Sequence, residues 1–182
     1  SNNVLDATKE WTLLLSEPKQ VKGLPKRTLE VLSTAAKEAG DINHERMESP
    51  SAEEGPWRIS LDLPNYIAFL TYAEDRSLRE KVYKAYVKRA SENEFNNEPL
   101  IEEILILREE QAKILGYKHW AELSLSSKMA RDVEEVENLL EELRFAAFNT
   151  AKKEISELHG LAMKNSFPKG ESLEPWDISF WS

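Results

Sequence analysis

From Asp132 to about Asn165 the sequence carries one uninterrupted helical pattern with no proline in it, and a segment this long dictates what must lie beside it. Asp132 precedes the first periodic residue and Glu135 follows three positions on, the pattern of a capping box. Val133, Val136, Leu140, Leu143, Ala147, Ala151, Ile155, Leu158 and Ala162 then recur at spacings of three and four. They form a seam along a rod of roughly 50 Å at 1.5 Å per residue. A two-stranded coiled coil needs only such a seam. Leu139, Phe145, Phe148, Leu161 and Met163 lie off it, so the sequence predicts a helix buried more widely, as one wall of a larger bundle.

A helical hairpin precedes this rod. Asn97 stands where a cap is needed, Pro99 falls in the first turn where a missing N–H does no harm, and Gly116 suits the left-handed position past the end. Leu100, Ile104, Leu107, Gln111 and Leu115 make a stripe that Ile101, Leu105 and Ile114 widen, which predicts a helix buried on more than one side. After Gly116, the run of Tyr117, His119, Trp120, Leu123 and Leu125 predicts a shorter helix packed against the first.

Earlier in the chain, Val4 to Leu15 reads as a helix ended by Pro18, begun so close to the first residue that it resembles a piece of a longer polypeptide. Leu29, Leu32, Ala36 and Ala39 mark a second amphipathic helix, opened by Pro25 and closed by Gly40. The short connection predicts an antiparallel pair. Residues 41–55 are polar and aperiodic, as in a mobile surface loop. Trp57, Ile59, Leu61 and Leu63 alternate with polar residues, a strand with one buried face whose partner is expected within 41–55 or outside the chain. Pro64 starts a helix through Tyr66, Phe69, Leu70 and Ala73. From Arg76 to Ser91, Leu78, Val82, Ala85, Tyr86 and Ala90 share a face, with Arg79, Lys81, Lys84, Lys88 and Arg89 as solvated charge offset by nearby glutamates. A last helix begins at Pro175, and Trp176, Phe180 and Trp181 are expected to lack partners at its end. The predicted fold is mainly α: a multi-helix array with a long C-terminal helix and one short strand or hairpin near residues 57–63.

Composition removes several function classes. With 182 residues and 41% hydrophobic content there is material for a core. A formal net charge of −9 and a pI near 5.0 speak against nucleic acid, which needs clustered Lys and Arg in excess. The absence of cysteine removes disulfides, thiolate zinc sites and cysteine nucleophiles. No apolar run approaches the roughly 20 residues that span a bilayer, so no membrane partner is expected.

Three histidines are candidates for chemistry. His44-Glu45-Arg46-Met47-Glu48 has the form HExxE, which imitates HExxH, where two imidazoles one turn apart bind zinc and the glutamate activates water. Here a carboxylate replaces the second imidazole, no apolar face would rigidify a helix, and no third ligand is identifiable. A solvated loop is the better account. His119 and His159 each stand alone on a helix, and a surface or packing role suits both.

The blocks WRISLDLPNYIAFLTYAEDRSLREKVYKAYVKRAS, EEILILREEQAKILGYKHWAELSLSSKMA and PWDISFWS, in this order and spacing, closely resemble the N-terminal portion of the thimet oligopeptidase and oligopeptidase A family of zinc metallopeptidases. The oligopeptidase A branch, known from bacteria and plant organelles, is the most similar. The resemblance implies a helical protein in which two lobes enclose a channel, with zinc at its floor hydrolysing short peptides. It implies that residues 1–182 are an N-terminal helical part, with a mobile loop at 41–55 and the catalytic domain outside them. The family's HExxH motif and downstream glutamate lie beyond the matched region. No catalytic, cofactor-binding or metal-binding residue is therefore carried onto this chain, and no zinc is expected on it. The expected partners are short peptides in the complete enzyme, the missing catalytic part, or a second copy through exposed aromatics; the expected compartment is the cytosol or the matrix of a chloroplast or mitochondrion. A different class, a stand-alone non-catalytic helical module binding peptides or proteins, also fits the residues.

Overall fold

Trp57 and Ile59 point inward while Arg58 and Ser60 point outward, giving strand β2 (Trp57–Ser60) in the computed structural model, which describes residues 2–42, 49–165 and 167–182. Its partner is β1 (Thr12–Leu15), antiparallel, with Leu13 opposite Ile59 and Leu15 opposite Trp57. This corrects two expectations. The first helix, α1 (Asn2–Glu10), stops before the leucines, and the strand's partner comes from the chain's own beginning. A short apolar run fits helix and strand equally well by periodicity, and pairing with β2 satisfies backbone groups that a lone strand leaves open. The strand also ends earlier than its alternation suggests. Asp62 caps α3 (Leu63–Tyr72) by accepting from the Asn65 N–H at 3.2 Å, so Leu61 stays buried and Leu63 becomes an exposed first-turn residue.

Helix α2 (Lys26–Glu38) packs on β2, rather than forming an antiparallel pair with α1, which packs on a short 3₁₀ turn at Asn93–Phe95. The connection into α2 runs against the end of α3, where the Glu74 N–H donates to the Lys22 carbonyl at 3.0 Å. Gly23 is required there: its φ is +89°, and a Cβ would stand 2.2 Å from the Tyr72 carbonyl oxygen. Between 41 and 55, Asp41 pairs with Arg58, and Ser51 and Gly55 exchange backbone hydrogen bonds of 3.1 and 2.9 Å. The Trp57 indole N–H donates to the Ala52 carbonyl.

Helices α3 and α4 (Arg76–Val87) pack on each other and on α8 (Pro175–Trp181). Asp75 caps α4 by accepting from the Ser77 and Leu78 N–H groups, and Tyr66 of α3 stacks on Tyr86 of α4 with centroids 3.8 Å apart. The core under these elements joins Leu15, Leu32, Trp57, Ile59, Leu61, Phe69 and Val82.

The chain divides into two units, Ser1–Asn96 with Leu161–Ser182, and Asn97–Gly160. The second holds α5 (Glu98–Ile114), α6 (Trp120–Leu125) and α7 (Val133–Lys164) as far as Gly160. Gly116, at φ +78°, ends α5 as its position predicts, with the Tyr117 N–H donating to Ala112 and the Gly116 N–H to Lys113. Helix α6 packs back on α5. At the start of α7 Asp132 accepts from the Glu135 N–H at 2.8 Å, but the Glu135 side chain takes the Arg131 N–H, one residue from the expected box.

Burial departs sharply from expectation in this unit. Among the described residues of this unit only Ala112 of α5 is buried. Leu100, Ile101, Ile104, Leu105 and Leu107 are exposed, Ile114 is 83% exposed, and Phe145 is 77% exposed. The periodicity is that of core helices, and no layer among the described residues covers it. Ile59→Ala is expected to lower stability by about 2–5 kcal/mol through the cavity it leaves. Leu105→Ala should change it by less than about 0.5 kcal/mol. Urea unfolding followed by circular dichroism on the two variants checks the contrast.

Candidate functional site

Of the three histidines, His119 and His159 lie among the described residues. His44 and its HExxE run lie outside the described residues. His119 caps α6, its Nδ1 accepting from the Glu122 N–H at 3.3 Å, and His159 is partly buried on α7. Among the described residues no group of three or more His, Asp or Glu side chains converges as a metal ion requires.

The most organised polar constellation is one that sequence reasoning left in solvent. Arg79 is 2% exposed and Asp177 0%. The Arg79 guanidinium donates from Nη2 to Asp177 Oδ1 at 2.9 Å, from Nη1 to the Ala73 and Glu74 carbonyls at 2.7 and 3.2 Å, and from Nε to the Trp176 carbonyl at 3.1 Å. Arg76 donates to the other side of the same carboxylate, from Nε to both oxygens at 3.0 Å and from Nη2 to Oδ2 at 2.8 Å, and also pairs with Glu171. The Glu174 N–H completes the set, donating to Asp177 Oδ2 at 3.1 Å. Arg79 thus corrects the expectation of a solvated basic face on α4. Arg79, Val82 and Tyr86 share one helical face, which is the signal in the sequence that pointed inward.

Burial acts to raise the Asp177 pKa. Hydrogen bonds from Arg76, the Glu174 N–H and Arg79 outweigh it, and the carboxyl sits below its ordinary value. For Arg79, burial lowers the pKa against the Asp177 hydrogen bond, while that same carboxylate raises Arg76. A carboxylate whose lone pairs are all engaged by fixed donors is a poor proton acceptor. The cluster holds chain together; it has no nucleophile or base to offer.

The C-terminal aromatics form its lid. The Arg79 guanidinium lies 4.0 Å from the centroid of the Phe180 ring, Trp181 meets Phe180 and Phe167 edge-on, and Trp176 leans on Tyr83. Trp176, Phe180 and Trp181 are only partly exposed. The expectation that they lack partners is therefore corrected: the partners are Tyr83, Arg79 and Phe167.

Arg79 lies in the Leu-Arg-Glu block and Asp177 in the Pro-Trp-Asp block, two of the elements that carry the family resemblance. Residues 69–182 match the sequence profile of peptidase family M3. The chain belongs to peptidase family M3. It is 42% identical over all 182 residues to the Arabidopsis thaliana protein named "Probable cytosolic oligopeptidase A", of which it covers 25%. It is 41% identical over its full length to "Organellar oligopeptidase A, chloroplastic/mitochondrial" of the same plant, covering 22%. Oligopeptidase A of Escherichia coli is 36% identical over 187 aligned residues, 25% of that protein. The chain thus spans about a quarter of the length of these relatives.

Family M3 is a metallopeptidase family, and the described residues do not fit its metal. Removing the Asp177 charge is expected to expose what the ionic cluster does. Asp177→Asn leaves Arg79 buried without its carboxylate and should cost about 3–5 kcal/mol near neutral pH. Because the folded pKa of Asp177 is depressed, its contribution is complete above its unfolded value of about 3.9 and is lost as pH falls through the folded one. Denaturant titrations at pH 7 and in acid should show the gap between wild type and variant closing as the pH drops.

Proposed function

We propose that this chain is the N-terminal helical portion of an oligopeptidase A-like zinc metalloendopeptidase that degrades short peptides, and that it forms a wall of the substrate channel. The observation that carries this reading is the match through all 182 residues, at 41–42% identity, to oligopeptidases of which the chain makes up only about a quarter. The uncovered helical faces of α5 and α7 support it. Their spacing is that of interior helices, which suits a segment whose neighbours belong to the rest of a larger enzyme.

On this reading the chain supplies shape and exclusion, and the hydrolytic residues lie outside it. Zinc and its general base belong to that other part. Peptides reach it along a surface that this chain helps to build, which restricts entry to short, unfolded substrates. The compartment is the cytosol or an organelle matrix, in keeping with the names of the two plant relatives. No helix among the described residues is long and apolar enough to cross a membrane.

The purified chain, incubated with zinc and a fluorogenic short peptide, is expected to show no cleavage that a chelator abolishes. Chelator-sensitive turnover by the chain alone would overturn the assignment of the chemistry to residues outside it.

A further inference from the structure

The first unit contains a pocket of about 500 Å³ that neither the ionic cluster nor the helical wall uses. Leu61, Trp11, Ala85 and Ala90 give it an apolar lining, and Arg89 stands at its side. The geometry of Arg89 is unusual for a surface arginine. Its Nε donates to the Tyr86 carbonyl at 2.7 Å, its Nη1 to Thr8 Oγ1 at 3.0 Å, and its guanidinium lies 3.5 Å from the Tyr86 ring centroid. Tyr86 is itself stacked on Tyr66. The guanidinium plane is therefore fixed by neutral groups alone.

No acidic side chain among the described residues pairs with Arg89, and its Nη2 makes no hydrogen bond there. The other charges at the rim are Lys84, Lys88, Glu10, Glu92 and Glu94, of which Lys84 pairs with Glu80 and Lys88 with Glu92. Backbone strain is concentrated at the same place. Ala90 and Asn93, both lining the pocket, have φ of +56° and +57°, and Ala90 is a residue that rarely adopts this conformation.

A fixed guanidinium with free donors beside an apolar surface selects a planar anion attached to an apolar body. We propose that this pocket binds the α-carboxylate of an apolar residue, as at the C-terminus of a short peptide or in a free amino acid. The carboxylate sits on Arg89 and the side chain on Trp11, Leu61, Ala85 and Ala90. The site goes beyond the channel-wall role and does not depend on it, because every residue in it belongs to this chain.

Equilibrium dialysis of the 182-residue chain against radiolabelled N-acetylleucine tests the proposal. Saturable binding is expected, weakened by about tenfold or more in Arg89→Gln, because the charge-assisted hydrogen bonds are the strong ones. N-acetylleucinamide, which lacks the carboxylate, should fail to compete with the wild-type chain, a comparison that does not depend on the variant folding. Competition by Ala-Ala-Leu but not by free leucine assigns the site to peptide ends, and competition by both extends it to the amino acid. Absence of saturable binding, equal competition by the amide, or unchanged binding in a folded Arg89→Gln would overturn it.

Discussion

The buried contact between Arg79 and Asp177 is the constraint on which the first unit depends. It joins residues nearly a hundred positions apart and fixes α8 against α3 and α4. An ion pair taken out of water recovers its desolvation cost only when the remaining donors and acceptors are also satisfied. Here they are: Arg79 finds three backbone carbonyls besides the carboxylate, and Asp177 collects Arg76 and a backbone N–H besides Arg79. Two of those carbonyls, of Ala73 and Glu74, end α3, and a third belongs to Trp176 of α8. One guanidinium thus reads the positions of two helix termini at once. Phe180 covers it, which keeps water from competing for the same hydrogen bonds.

The second unit is built on the opposite terms. Its ion pairs, among them Lys113 with Glu109, Arg131 with Glu135, Arg144 with Glu141 and Lys153 with Glu157, lie at the surface, and such pairs contribute about 0–1 kcal/mol each. They confer solubility on α5 and α7 more than they hold them. Apolar side chains on these helices remain open to water in numbers that a soluble domain rarely tolerates. The chain belongs to family M3 and spans about a quarter of its relatives' length, and the reading proposed above accounts for this surface as one that the rest of a larger protein would cover.

Two arginines on one helix and the residues just past it illustrate how environment divides the roles of a side chain. Arg79 is spent entirely within the fold, its charge matched by Asp177. Arg89 is held as rigidly, by a tyrosine carbonyl, a threonine hydroxyl and an aromatic face, yet none of these partners carries charge. Rigidity with neutralisation makes a structural clamp. Rigidity without it leaves a preorganised donor beside an apolar pocket, the arrangement from which a carboxylate site was inferred.

Local rules determined much of this protein from sequence alone. Asp132 and Gly116 begin or end helices because a side-chain acceptor or a positive φ is needed at one position only, and the blocks around Leu-Gly-Tyr and Pro-Trp-Asp identified the family. The tertiary structure decided whatever depended on a distant partner. Leu13 to Leu15 became a strand because β2 stood ready to pair with it, and Arg79 turned inward because Asp177 arrived from the far end of the chain. The aromatics of α8 found Tyr83, Arg79 and Phe167 for the same reason. Periodicity reports which face of a helix is apolar. Whether that face is covered, as on α4, or open, as on α5, depends on contacts that no spacing along the chain encodes.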